Sequence, residues 1–389
     1  MPAGTRMVLS PLWLHYSRLL ITQKIPTIYL SKCRLICIRC GTLFLHLLQT
    51  HFLKKAFLII GICGLLLGSL LLYLLFWPNT GEIRDKSFLY IKTGSDYAAL
   101  LKQVEEQHVV GDIHSFDRMA HWVGLPTNVH AGKYQIRAGM GNFTMVWLLK
   151  GGKQVPVKLV INKLRTPEDL MRKLSETLEP DSAQFAAAIR DTSFLHQYEI
   201  DSNQIQAIIL PDTYQFYWNT DSRKALEKIA KNYQKFWTAE RKQKAAARHL
   251  SPAQMVTLAS IVEEETNLAG DKGPIASTYF NRLQKGMPLQ ADPTIKYALR
   301  DFGLKRILKG HMEIASPYNT YRNKGLPPGP ICTPSMNTLD AVLDAPETDY
   351  LYFCARENLD GSSVFAATYD THMQNARKYQ AALNARGIH

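Results

Sequence analysis

The sequence predicts an α+β protein in three parts: an N-terminal transmembrane helix, a small α+β unit, and a mainly helical α+β domain. Three observations carry this reading. Residues 56–77, AFLIIGICGLLLGSLLLYLLFW, hold no charge over 22 positions. Residues 88–162 alternate short strand-like and helical runs punctuated by glycine. From residue 163 helical periodicity dominates, until two strand-like runs precede a last helix.

Residues 1–55 contain eight Lys/Arg and no Asp or Glu, with Pro11 and Pro26 breaking an otherwise apolar run. They read either as a basic segment on the cytoplasmic membrane surface or as the product of a start placed too far upstream. The uncharged run that follows is long enough to cross a bilayer. Lys54 and Lys55 guard its start, and Tyr73 and Trp77 sit where interfacial aromatics belong. The Lys/Arg excess before it places the N-terminus in the cytoplasm and residues 78–389 outside the plasma membrane. A cleaved signal would have an apolar core of about 7–15 residues ending in small residues, and LLFWPNT offers no such site.

The net charge of +13 is concentrated in that first segment. The remainder carries 38 basic against 33 acidic residues, which calls for no nucleic-acid partner. Cysteine usage is sparse. Cys33, Cys37 and Cys40 show a C-x3-C-x2-C spacing, read as coincidence without a fold to hold a cluster. Cys63 lies in the span, whereas Cys332 and Cys354 face an oxidising compartment and could pair.

Within the small unit, FLYIKTG (88–94) and GKYQIRAG read as strands. SDYAALLKQVEEQ opens a helix with Ser95 as N-cap, SFDRMAHWVGL forms another, and GNFTMVWLLKGG a third that closes at Gly151. VPVKLVIN (155–162) alternates like a strand and completes the unit. His114, His121 and His130 share no metal-ligand spacing and are read as surface or packing residues.

Beyond it, TPED and SPAQ each pair a capping box with Pro at the first helical position. Residues 223–250 read as one long helix with Leu226, Ile229, Tyr233, Phe236 and Trp237 on one side and a solvated Lys/Arg face opposite. YLYFCAR and SVFAATY read as strands before TYDTHMQNARKYQAAL.

The helix capped by Ser251 ends in Glu263, Glu264 and Glu265. Stepping at about 100° per residue from Met255, Glu265 falls between Leu258 and Ile261, inside the apolar sector. Glu264 falls away from that sector and Glu263 on its flank. A carboxyl aimed into apolar surroundings is held protonated near neutral pH and can donate its proton to a leaving oxygen. The alternative is a helix-end residue paired to an arginine such as Arg282.

Three blocks follow one another in order around this helix: ILPDTYQFY; LASIVEEET with IASTYFNRLQKGMPLQADPTIKYAL; and SPYNTYRNKGLPPGPICTPS. Their order and spacing over residues 85–387 resemble the YceG-like family of endolytic murein transglycosylases. The resemblance implies a LysM-like subdomain (88–162) and a catalytic domain (163–389) that cuts the MurNAc–GlcNAc β-1,4 bonds of nascent peptidoglycan near the membrane, beside peptidoglycan synthases such as penicillin-binding proteins. It implies Glu265 as catalytic acid, working without metal or cofactor and giving 1,6-anhydro ends. In such a cleft Glu263, Gln290, Asp292, Thr294, Tyr318, Asn319 and Tyr321 are candidate substrate contacts, with Asp292 also a candidate N-cap for a helix starting at Pro293. The chain departs from the family pattern at Glu264, at IQAIIL before PDTY, and at Ser363 and Met373. A water-using muramidase with Asp292 or Glu263 as second carboxylate, and a non-catalytic peptidoglycan-binding scaffold, are the alternative functions.

Overall fold

The structure is a computed structural model and describes residues 52–73, 77–80 and 87–387. Residues 1–51 of the basic segment, with its three cysteines, lie outside the described residues. The chain divides into two compact units, Met1–Trp77 and Pro78–His389.

In the first, helix α1 (Phe52–Tyr73) has 22 residues and is apolar enough to cross a membrane. At 1.5 Å per residue it measures about 33 Å, matched to a hydrocarbon layer of about 30 Å. Ser69 donates its hydroxyl to the Leu65 carbonyl at 2.8 Å, so its polar group is satisfied within the helix. The rings of Tyr73 and Trp77 lie 4.4 Å apart between centroids, tilted by 33°.

The second unit begins with a two-stranded antiparallel sheet, β1 (Ser87–Ile91) against β2 (Gly132–Ile136), with Leu89 opposite Tyr134. Helices α2 (Tyr97–Glu106), α3 (Ile113–Val123) and α4 (Asn142–Lys150) accompany it. They bury Leu89, Ile91, Leu100, Phe116, Tyr134 and Met145 in one small core. The N-cap of α2 is Asp96, whose carboxylate accepts from the Ala99 N–H at 2.8 Å, and not Ser95 one position earlier. Gly124 ends α3 with φ +79°, a conformation glycine adopts without penalty.

Strand β3 (Val157–Ile161) does not belong with this core, although sequence alternation groups it there. It pairs with β4 (Asp212–Phe216), and Val157, Leu159 and Ile161 turn into the larger core. Alternation reveals that a strand is half-buried but not which distant strand it will meet. Between them run α5 (Pro167–Thr177), α6 (Ser182–Ile189), α7 (Thr192–Gln197) and a 3₁₀ turn.

Next come α8 (Ser222–Phe236) and α9 (Ala239–Ala247), a break where periodicity predicts one helix. Trp237 leaves helical geometry to bury its indole, and Thr238 caps the new helix by accepting from the Arg241 N–H. Threonine competes for backbone donors in this way, which ends one helix and starts another.

Helix α10 (Pro252–Glu265) is the centre of the larger core. Both parts of its capping box, Ser251 and Gln254, form. Every residue from Met255 to Val262 is buried, so the helix has no wet side along that stretch. It packs on α11 (Ala269–Gln284), α12 (Asp292–Leu299) and α13 (Met336–Leu343). Strands β5 (Tyr352–Ala355) and β6 (Ser363–Ala366) pair antiparallel, and α14 (Tyr369–Ala385) follows. Cys332 and Cys354 do not pair: both are free, Cys332 being buried with its thiol 3.5 Å from the Ser260 carbonyl.

Candidate active site

The last turn of α10 sends three consecutive carboxylates to three different surroundings. Glu263 meets Lys272 Nζ of α11 at 3.0 Å, Ser335 Oγ at 3.0 Å, and the Thr338 hydroxyl of α13. Burial opposes its charge, but hydrogen bonds from Thr338, Lys272 and Ser335 outweigh that and hold its pKa below the usual range. Together these bonds tie three helices at one carboxylate.

Glu264 is not the outward residue that helical projection suggests. Lys163 Nζ approaches it to 2.6 Å and Arg165 Nη2 to 3.5 Å, leaving its side chain 17% exposed. Both partners come from the segment after β3, which covers the side of α10 that periodicity alone leaves open.

Glu265 is different in kind. Burial raises its pKa to about 7; the Tyr279 hydroxyl, donating to Oε1 at 2.7 Å, pulls downward, and the nearby Asp292 charge adds to the rise. Lys296 and Arg282 oppose it more weakly. Arg282 does not grip the carboxylate, as the sequence alternative would have it. Its guanidinium is spent on the Leu351 and Leu289 carbonyls, each at 2.7 Å. Glu265 is half-buried as a residue, at the last position of α10. Such a group gives up its proton near pH 7 without an obligatory ionic partner.

The other predicted contacts sort into two sets. Gln290 is exposed, with φ +52° and its backbone N–H on the Thr320 carbonyl. Asp292 is exposed at the first position of α12; Ala291 is the N-cap, and Asp292 instead accepts from the Tyr321 hydroxyl. Tyr321 is partly exposed and interacts electrostatically with both Asp292 and Glu265. Glu265, Asp292 and Tyr321 thus share one neighbourhood, with Gln290 just before Asp292 on the same loop.

The remaining three engage other parts of the chain. Thr294 is fully buried, donating to the Ala291 carbonyl at 2.6 Å and lying 2.8 Å from the Thr320 hydroxyl. Asn319 is also fully buried; its amide donates to the Met312 and Ile314 carbonyls at 2.8 and 2.9 Å and accepts from the Tyr321 N–H. It shapes the loop that carries Tyr321. Tyr318 packs on Tyr297, ring centroids 4.6 Å apart. Tyr279 and Lys296 are site residues that the sequence gives no reason to select, because both sit in ordinary helical positions.

Among the described residues, Glu265 is the one carboxyl whose pKa is raised towards neutrality, and its place at the end of a buried helix has the chemistry of a candidate acid/base site. The chain belongs to the YceG-like family, whose model matches residues 89–378. It is similar to the endolytic murein transglycosylase of Bacillus subtilis (strain 168), 28% identical over 344 residues, covering 82% of this chain and 92% of that protein. It is also 26% identical over 289 residues to the endolytic murein transglycosylase of Streptococcus pneumoniae serotype 2, a match covering 65% of this chain and about half (51%) of that relative. A crystal structure of a YceG-like protein from Listeria monocytogenes superposes with a TM-score of 0.50 at 27% identity, covering 75% of this chain and 98% of that one.

Proposed function

We propose that this chain is a membrane-anchored peptidoglycan lytic transglycosylase that cuts MurNAc–GlcNAc β-1,4 bonds within glycan strands. The observation that carries the reading is the state of Glu265: a carboxyl with pKa raised to about 7, on a half-buried residue, and in no ion pair among the described residues. Glu265 gives its proton to the glycosidic oxygen as the C1–O bond breaks. The same carboxylate, now charged, takes the proton from the C6 hydroxyl of MurNAc as that oxygen closes on C1. One group is both acid and base, and no water is consumed. Tyr279 stabilises the carboxylate between the two transfers, and the exposed Gln290 and Asp292 face the sugars together with the partly exposed Tyr321.

Helix α1 is the anchor in this reading, with the N-terminus cytoplasmic and the catalytic part outside the plasma membrane. The unit built on β1, β2 and α2–α4 is a LysM-like glycan-holding part. Confinement near the bilayer directs the enzyme to newly made strands beside their synthases. Digestion of purified uncrosslinked glycan with product mass analysis tests this. Products lighter by one water than reducing-end sugars are expected. Reducing ends would instead favour Asp292 as a base for water, and intact strands would leave only a binding role.

A further inference from the structure

Two cavities of about 450 and 430 Å³ adjoin on α5, sharing Glu176 as a wall. Together they make a groove whose ends differ in chemistry. One end lies where the small core meets the larger one. There Tyr90 from β1 and Trp218, following β4, stand edge to face at 5.1 Å, with Lys133 above the Tyr90 ring. Thr93 donates twice to Glu179, at 2.7 and 2.6 Å, and Asn219 donates to the Ala131 carbonyl at 3.2 Å. These bonds tie the small core to the larger one beside that end.

The other end is basic, with Lys163, Arg165, Arg172 and Lys173 against Asp169 and Glu176. It finishes at the two residues that hold Glu264, the neighbour of Glu265. The Nε of Arg165 is buried there without a hydrogen-bond partner. Arg172 is paired to Asp169 at 2.9 Å, whereas Lys173 forms no ion pair among the described residues, so the groove keeps one unspent cation.

We infer that this groove is a second binding surface for the substrate strand, its aromatic end taking sugar rings and its basic end taking stem-peptide carboxylates. The inference rests on the proposed function for its substrate class. Sugar C–H faces pack on aromatic rings, and paired basic side chains recognise carboxylates. A surface that reads the peptides as well as the glycan makes a peptide-bearing strand the preferred ligand over bare polysaccharide. Engaging the strand at two places also raises its effective concentration at the cleaving site.

The test uses the full chain carrying Glu265→Gln in detergent micelles, with uncrosslinked peptidoglycan strands as probe, intact or stripped of peptides by an amidase. Intact strands should bind about threefold to fivefold more tightly than stripped ones, the scale of one exposed charge pair. Arg172→Ala with Lys173→Ala should remove that difference and leave stripped-strand binding unchanged. Trp218→Ala should weaken both probes. Equal binding of the two probes, a difference that survives the double variant, or an unaffected Trp218→Ala would overturn the inference. Wild-type digestion of the same strands separates the two readings: anhydro products with no groove effect keep the function and discard the groove.

Discussion

The hydroxyl of Tyr279 lies 2.7 Å from Oε1 of Glu265 and donates to it. Burial holds the phenol protonated well above its ordinary pKa, so it stays a donor throughout the working range. With Oε1 occupied, the proton of the neutral acid resides on Oε2. Tyr279→Phe removes the donor that favours the charged form. The alkaline limb of the pH–rate profile should then move above about 7, the value Glu265 holds with its partner. Turnover at pH 6 should fall about tenfold, the scale of one hydrogen bond to a charged group. An unmoved limb would reduce Tyr279 to packing.

Glu265→Gln keeps the shape but has no usable proton, so cleavage should drop by about 10²–10⁴-fold or more. Stability supplies an independent reading. The carboxyl's folded pKa, about 7, lies above its unfolded value, so folding favours its protonated form. It therefore costs stability increasingly as pH rises from about 4.3 to 7. The melting temperature of Glu265→Gln relative to wild type should rise across that window and level off above it. A difference independent of pH would place the carboxyl in an ordinary environment.

Glu263 and Glu264 should respond as structural residues of unequal depth. Glu263→Ala strands Lys272, whose side chain is only 11% exposed, and should cost about 3 kcal/mol. Glu264→Gln loosens a pair whose cations are 37% and 40% exposed, and should cost about 1 kcal/mol, less in high salt. Turnover of the folded Glu264→Gln should stay within a small factor of wild type. Denaturant melts at two ionic strengths, with activity measured alongside, check both statements.

Topology is open to direct measurement. A reporter fused after His389 should be active only when it works outside the cytoplasm. Activity of a cytoplasm-dependent reporter at that position would overturn the orientation and remove the substrate from reach.

Some of this architecture was legible in residue order because the relevant forces are local. The capping box at Ser251 and Gln254 and the apolar spacing that aims Glu265 inward both act within a few residues. What was not legible depends on segments that meet only in the folded chain. Glu264 looked solvent-facing because Lys163 and Arg165 lie about a hundred positions upstream. Asp292 looked like a cap, yet its acceptor capacity goes to Tyr321, and Ala291 begins the helix. Thr294 and Asn319 have the chemistry of sugar contacts and are consumed by backbone carbonyls. The identity of a polar residue reveals what it can bond, whereas burial decides whether a ligand ever sees it.

The three glutamates at the end of α10 answer to three unrelated sets of partners, one residue apart. Deleting or inserting a single residue between Ser251 and Glu263 would turn every carboxylate by about 100°. The tether to α13, the clasp on Lys163 and the acid beside Tyr279 would be lost together. This stretch can therefore change in letters far more freely than in count. Variation in length between Ser251 and Glu265 is closed to any descendant that keeps the reaction.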